Sequence, residues 1–167
     1  MKKLLTFLAC MGVSASAATL KIAALAPEGT NWANTMKEFS KEVKKVTNGK
    51  VKVKIYYGGV AGDEPDVLRK IRVGQMHGGV FTGRVLGDIA GDIRAIELPF
   101  NFLHSEEKAM KALKGMTPYF NEKIDAKGFV NLGFYGIGQV YVVSTKKVTS
   151  IPEMQGVKIW SWEGDRV

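Results

Sequence analysis

Residues 20–57 read as strand, amphipathic helix, strand, with only short turns between them, and that alternation sets the class of fold before any motif is considered. Residues 20–25 are a short apolar run stopped by Pro27-Glu28-Gly29. Thr30 or Asn31 then offers an N-cap, and Trp32, Met36, Phe39, Val43 and Val46 recur at helical spacing until Asn48-Gly49 ends the pattern. Residues 51–57 alternate apolar side chains with lysine, the mark of a half-buried strand. The glycine-rich residues 58–62 deliver Asp63-Glu64-Pro65 to a second helix, whose buried side is Val67, Leu68 and Ile71 and whose stop is Gly74. A short strand within residues 79–81, a weakly helical piece at 85–89 and a strand-like stretch at 95–98 ended by Pro99 continue the alternation. Residues 105–127 are helical again, with Gly115 and Pro118 expected to bend or split them. Residues 129–135, 140–144 and 157–160 read as strands, with a turn around Ser150-Ile151-Pro152 before the last. Such an order predicts a layered α/β fold with a largely parallel sheet.

The segment before this alternation is of another kind. Lys2 and Lys3 precede an apolar run over residues 4–13 and the small-residue pattern Ala15-Ser16-Ala17, the layout of a secretory signal peptide cleaved after Ala17. Its apolar part is too short to span a bilayer, and no later segment approaches the length of a membrane helix, so the expected product is soluble and exported. Cys10, the single cysteine, lies in the segment to be removed. A lipid-anchored Cys10 is the other reading, disfavoured by Phe7 three residues before it and by the cleavage pattern that follows. A mature chain without cysteine has no disulfides, thiolate zinc sites or cysteine nucleophiles. The formal charge of +8 falls by two, to +6, without Lys2 and Lys3. Lys37, Lys41, Lys44 and Lys45 lie opposite the apolar stripe of the first helix, while Lys50, Lys52 and Lys54 alternate along a strand. Both sets are solvated outer faces, and no aromatic stacking pattern accompanies them, so no nucleic-acid partner is expected. A mild preference for anionic ligands remains.

Motifs for catalysis are not present in recognisable form. His77 and His104 belong to no spaced set that would hold zinc, and no metal is expected. The glycines at 58–62, at Gly78-Gly79 and at 133–138 match neither a phosphate loop nor a dinucleotide fingerprint, and read as turns that allow close backbone approach to a ligand. Ser144, Ser150 and Ser161 sit in no nucleophile elbow. The pairs Asp63-Glu64 and Glu106-Glu107 are explained by helix starts and surface positions. No catalytic residue and no cofactor is therefore assigned. In open α/β sheets ligands collect beyond the carboxyl ends of the strands, which directs attention to the turns there. The candidate ligand-binding residues are Glu28 and Trp32 after the first strand, Phe81 and Thr82 after the third, Tyr135 beside the later strands, and then Trp160, Trp162 and Glu163. Trp32 fits core packing as well as a cleft wall, and Trp160 and Trp162, on one side of a strand by alternation, fit either equally.

The runs LKIAALAPEGTNW, KEFSKEVKKVTNGKVKVKIYYGGVAGDEPDVLRKIRVGQMHGG, ELPFNF and SIPEMQGVKIWSWEGD, in this order, resemble the substrate-binding proteins of TRAP-type (tripartite, ATP-independent, periplasmic) transporters, the DctP-like family. The resemblance runs from about Leu20 to the last residue. It implies a two-lobed periplasmic binding protein of type II-like α/β architecture, about twice this length, of which this chain would supply the first lobe and the start of the second. The expected division is 1–17 signal peptide, 18–124 first lobe and 125–167 start of the second. A strand at 157–160 with no further partners would also expose unpaired backbone, which agrees with an N-terminal piece of a longer protein. The implied function is capture of a small organic acid or related solute in the interlobe cleft, closure by hinge motion, and delivery to the integral membrane permease subunits. The other readings are an exported enzyme on a similar two-lobed fold and a sensory solute-binding protein. Members hold the carboxylate with an arginine in a stretch reading glycine, any residue, lysine, aliphatic, arginine. Gly156, Val157, Lys158 and Ile159 match it, and Trp160 stands where the arginine belongs. That departure makes a plain C4-dicarboxylate a poorer expectation. An indole stacks on a flat or sugar-like face, or attracts a cationic group through its ring. Arg84, beside the turn after Thr82, is a second source of positive charge, an exposed surface arginine being its other reading.

Overall fold

A computed structural model describes residues 17–98, 102, 105–136 and 143–160. The expected signal peptide, apart from Ala17, lies outside the described residues, as do His104, most of the expected 140–144 strand, Trp162 and Glu163. The chain divides into two compact units, Met1–Phe81 and Thr82–Val167.

The first unit holds β1 (Ala18–Ala23), α1 (Asn31–Val46), β2 (Val51–Tyr56), α2 (Glu64–Arg72) and the two-residue β3 (Gly78–Gly79). Its sheet has the order β2-β1-β3 and is parallel throughout, with Ala18 opposite Val51, Ala23 opposite Tyr56, and Ile22 opposite Gly78. Parallel neighbours require crossovers, and the two amphipathic helices supply them. α1 begins at Thr30, whose hydroxyl accepts from Ala33 N at 3.2 Å and donates to the Pro27 carbonyl at 2.9 Å. Past its end, Asn48 and Gly49 take left-handed φ of 49° and 75°, and the Gly49 amide donates to the Lys44 carbonyl at 2.7 Å. α1 packs on β2, where the Ser40 hydroxyl reaches the Val53 carbonyl at 2.7 Å.

The stripe of α1 is less buried than its spacing suggests. Ala33 is the buried residue, whereas Trp32 and Phe39 remain about 40% exposed. On the face of the sheet opposite Val53, by alternation, Ala23 joins Val67 of α2 and Met76 in a core, with Tyr56, Ala61, Ile71 and Phe81 packed around it. Lys50, Lys52 and Lys54 are exposed as expected, and the Lys54 ammonium lies 5.0 Å from the Tyr56 ring centre.

The second unit holds α3 (Gly83–Ile89), a 3-10 helix (Gly91–Glu97), α4 (Glu106–Asp125) and a short 3-10 turn (Ile151–Met154). Its core joins Ala90, Ile93, Phe120 and Ile124, with Phe134 meeting Phe120 edge to face at 6.0 Å. Here the structure departs from the sequence reading in four places. Residues 95–98 are not a strand: residues 91–97 wind as a 3-10 helix, because Ala90, Ile93 and Ile96 recur every third residue and turn one face to Phe120 and Ile124.

Gly115 and Pro118 do not split the long helix. Both stand on its exposed side, with Lys114, whose carbonyl Pro118 cannot satisfy, exposed as well; Leu113, Phe120 and Ile124 anchor the other side. The Thr117 hydroxyl donates to the Leu113 carbonyl at 2.8 Å beside the missing bond. Residues 129–135 and 157–160 form no ladder among the described residues. In the first of these the Asn131 side chain makes the local bonds, donating to Asn121 Oδ1 at 2.8 Å and accepting from Gly133 N at 3.1 Å. An apolar alternating run becomes a strand only where another backbone is beside it.

Candidate functional site

The carboxyl ends of β1, β2 and β3 lie side by side, and the chain leaves each through a short loop. Between these loops is a small cleft of about 10 Å³, room for one water-sized body, lined by Ala24, Gly59, Ala61, Glu64, Val67 and Phe81 among others. The loops are fastened to one another and within themselves. Gly58 N donates to the Ala26 carbonyl at 3.0 Å, Gly62 N to the Gly59 carbonyl at 2.9 Å, and Val80 N to the Ala23 carbonyl at 2.9 Å. Glycine is required where the backbone comes closest: a Cβ on Gly79 would stand 2.6 Å from the Phe81 ring and 3.0 Å from Val67.

Glu64 is the carboxylate that the sequence reading left out of the site. It is 8% exposed and lines the cleft from the first residue of α2, after Asp63, whose carboxylate caps the helix by accepting from Asp66 N at 3.0 Å. An acid at a helix start has a sufficient explanation in the helix dipole, so nothing local in the sequence marks a cleft position. The glycine loop before it was the usable clue, since such loops bring backbone and neighbouring side chains close to a ligand.

The predicted site residues fall into three groups. Glu28, Trp32 and Phe81 belong to the first unit. Phe81 is half-buried in the cleft wall, while Glu28 and Trp32 stand on the loop after β1 and the first turn of α1. Glu28 pairs with Lys37 at 3.0 Å, with both side chains well exposed. Lys37 lies 5.7 Å from the Tyr57 ring centre, and the Tyr57 hydroxyl donates to the Ala33 carbonyl at 3.3 Å. Burial pushes the Tyr57 phenol up from its ordinary value, with Lys37 opposing the shift and Glu28 adding to it. Thr82, Tyr135 and Trp160 belong to the second unit. Thr82 precedes α3 and accepts from Leu86 N at 3.0 Å through its carbonyl; Tyr135 and Trp160 are 82% and 75% exposed. Trp162 and Glu163 lie outside the described residues. Arg84, in the first turn of α3, is half-buried.

In the second unit a wider surface groove of about 550 Å³ follows α4, lined by Met110, Leu113, Thr117 and Phe134 with Glu107, Lys111 and Lys114. Among the described residues no group of three or more His, Cys, Asp or Glu is placed to hold a metal ion, and no helix is long and apolar enough to cross a membrane.

A parallel sheet with loops gathered at its strand ends, a buried carboxylate and glycines that admit close approach defines an α/β small-ligand binding fold. Residues 22–162 match the family model DctP, "Bacterial extracellular solute-binding protein, family 7", and the chain belongs to that family. It is 27% identical over 126 residues to a "Solute-binding protein" of Chromohalobacter salexigens, a match covering 74% of this chain and 37% of that one. Among solved structures it is similar to a TRAP periplasmic solute binding protein of Sulfitobacter sp. NAS-14.1 with bound β-D-galacturonate, at 28% identity and a TM-score of 0.62 over 70% of this chain and 39% of that one. A TRAP periplasmic solute binding protein of Ochrobactrum anthropi, with its C-terminus bound in the ligand pocket, matches at 26% identity and a TM-score of 0.66, covering 74% of this chain and 39% of that one. The chain thus spans well under half the length of the relatives it matches.

Proposed function

We propose that this chain belongs to the periplasmic substrate-binding component of a TRAP-type secondary transporter, which captures a small organic acid and delivers it unaltered to integral membrane permease subunits. The observation that carries the reading is the family match over residues 22–162. Within it, residues 18–124 would form the first lobe and 125–167 the start of the second, after an export leader over residues 1–17. The solute is held between the lobes and draws them together by contacting both better when closed. A relative holding a uronic acid, and tryptophan at position 160 where an arginine is expected, both favour a sugar acid over a plain dicarboxylate. An indole covers the apolar face of a sugar ring.

The test is calorimetry on the full-length protein with D-galacturonate, D-glucuronate and succinate, with product analysis of the recovered solute. Saturable binding of a uronate without turnover is expected, and Trp160→Ala is expected to weaken it by about tenfold or more through loss of ring stacking. A chemically altered solute would replace this reading with an exported enzyme. Unchanged affinity in the variant would place Trp160 outside the binding surface.

A further inference from the structure

The Lys70 side chain leaves the last turn of α2 and runs back to the glycine loop, where its ammonium donates to the Ala61 carbonyl at 2.5 Å in a partly buried position. Ala61 and Gly62 are cleft-lining residues. Gly62 has a φ of 103°, a Cβ there would crowd Asp66 Cβ at 3.0 Å, and the Lys70 Nζ lies in ordinary contact distance of the same spot at 3.5 Å, so the ammonium packs directly against this glycine. Asp66, one turn before Lys70, adds negative charge beside it. The loop itself is glycine-rich, with left-handed φ at Gly58, Gly59 and Gly62, and such a segment has many conformations to lose. Between its ends, which the Tyr57 hydroxyl and the Asp63 helix cap fasten, its other described ties are single backbone hydrogen bonds at Gly58, Val60 and Gly62. A charged donor to a backbone carbonyl is stronger than any of these three.

We propose that Lys70 is a positioning residue whose ammonium, by holding the Ala61 carbonyl, fixes residues 57–63 as one wall of the cleft before any solute arrives. The consequence for affinity rests on the function proposed above; the consequence for the loop does not. A wall already ordered spares the solute the entropic cost of ordering it, so the bond acts on binding without touching the ligand.

The experiment compares the full-length parent protein with Lys70→Met and Lys70→Arg, by amide hydrogen exchange without solute and by calorimetry with D-galacturonate as probe. Lys70→Met is expected to speed exchange at Gly58 and Gly62 about tenfold, the equivalent of one charged hydrogen bond, and to leave the amides of α4 at parental rates. It is also expected to weaken D-galacturonate about fivefold, with Lys70→Arg recovering most of both effects because a donor is restored. Parental exchange at Gly58 and Gly62 in Lys70→Met would overturn the proposal. So would faster exchange that arginine fails to rescue, which assigns the effect to packing of the stem, or faster exchange with undiminished affinity, which removes the loop from the cleft wall. If the parent protein itself binds no sugar acid, the proposed function fails, and exchange alone still decides whether Lys70 holds the loop.

Discussion

At Gly62 and Phe120 the structure allows single side chains to be assigned their consequences. Gly62 combines a φ of 103° with a neighbour, Asp66 Cβ, only 3.0 Å from where a methyl group would go. Gly62→Ala is therefore strained twice, and a loss of about 1–3 kcal/mol is expected in urea unfolding; a midpoint equal to that of the parent would mean the loop relaxes freely. Phe120 presents the opposite case, a large side chain with 0% exposure at the centre of the second unit's core. Phe120→Ala should cost about 3–5 kcal/mol, read from the same unfolding curves. A loss under about 1 kcal/mol would show that Leu113, Ile93 and Phe134 close over the space. Glu64 illustrates what residue-level reading misses. Its position before a helix is plain in the sequence, but its burial at the strand ends depends on how the glycine loop bends, and no local pattern encodes that.

Elements with their own signals were legible, and those that need a neighbour were not. β1, α1, β2 and α2 follow from alternation, a 3.6-residue stripe and caps at Thr30 and Asp63, all carried by residues close in sequence. Residues 95–98, whose first three close the 3-10 helix over Gly91–Glu97, read as a strand because apolar spacing in so short a run fits either period until Phe120 is seen against Ile93. Gly115 and Pro118 predict a bend or split in α4, and the helix continues with Pro118 and Lys114 both at exposed positions. The unmade bond still weakens the helix. Pro118→Ala restores a backbone donor to that carbonyl and removes the ring's clash with it, and should stabilise the protein by about 1–3 kcal/mol in thermal unfolding. A lowered melting temperature would indicate that proline selects a helix shape the core requires.

At the scale of the whole chain, the family was legible because its segments recur in order over most of the length, whereas the site was legible only as a region. Glu28, Trp32 and Phe81 were placed by the rule that ligands gather at strand ends, and the structure sets Phe81 in the cleft wall and the other two on the loop and first helical turn beside that edge. The charge pattern of the molecule then fixes how its stability depends on pH. The Arg69 hydrogen bond holds the Asp66 carboxyl below its ordinary value, helped by the charges of Arg69 and Lys70 against a smaller opposing effect of desolvation; the Thr149 amide does the same for Glu153, with the Ser150 and Thr149 side chains assisting. Both carboxylates therefore add stability above the ordinary carboxylate range, and that stability is lost as pH falls from about 4 through their lower folded values. Tyr119 acts at the other end. Its hydroxyl donates to Asp92 at 2.5 Å, which raises the phenol above its ordinary value, with desolvation and the Asp92 and Glu122 charges adding to the effect. The folded chain keeps that proton longer than the unfolded chain does, so the contribution is complete below about pH 10 and disappears as pH rises through the folded value. Burial raises Tyr57 in the same direction. Urea midpoints measured from pH 2 to pH 11 should thus give a plateau with an acid flank and an alkaline one. Tyr119→Phe has no phenol to ionise, so its alkaline flank should be shallower while its acid flank keeps the parent's slope; an alkaline flank identical to the parent's would mean that the Tyr119 to Asp92 bond does not persist in solution.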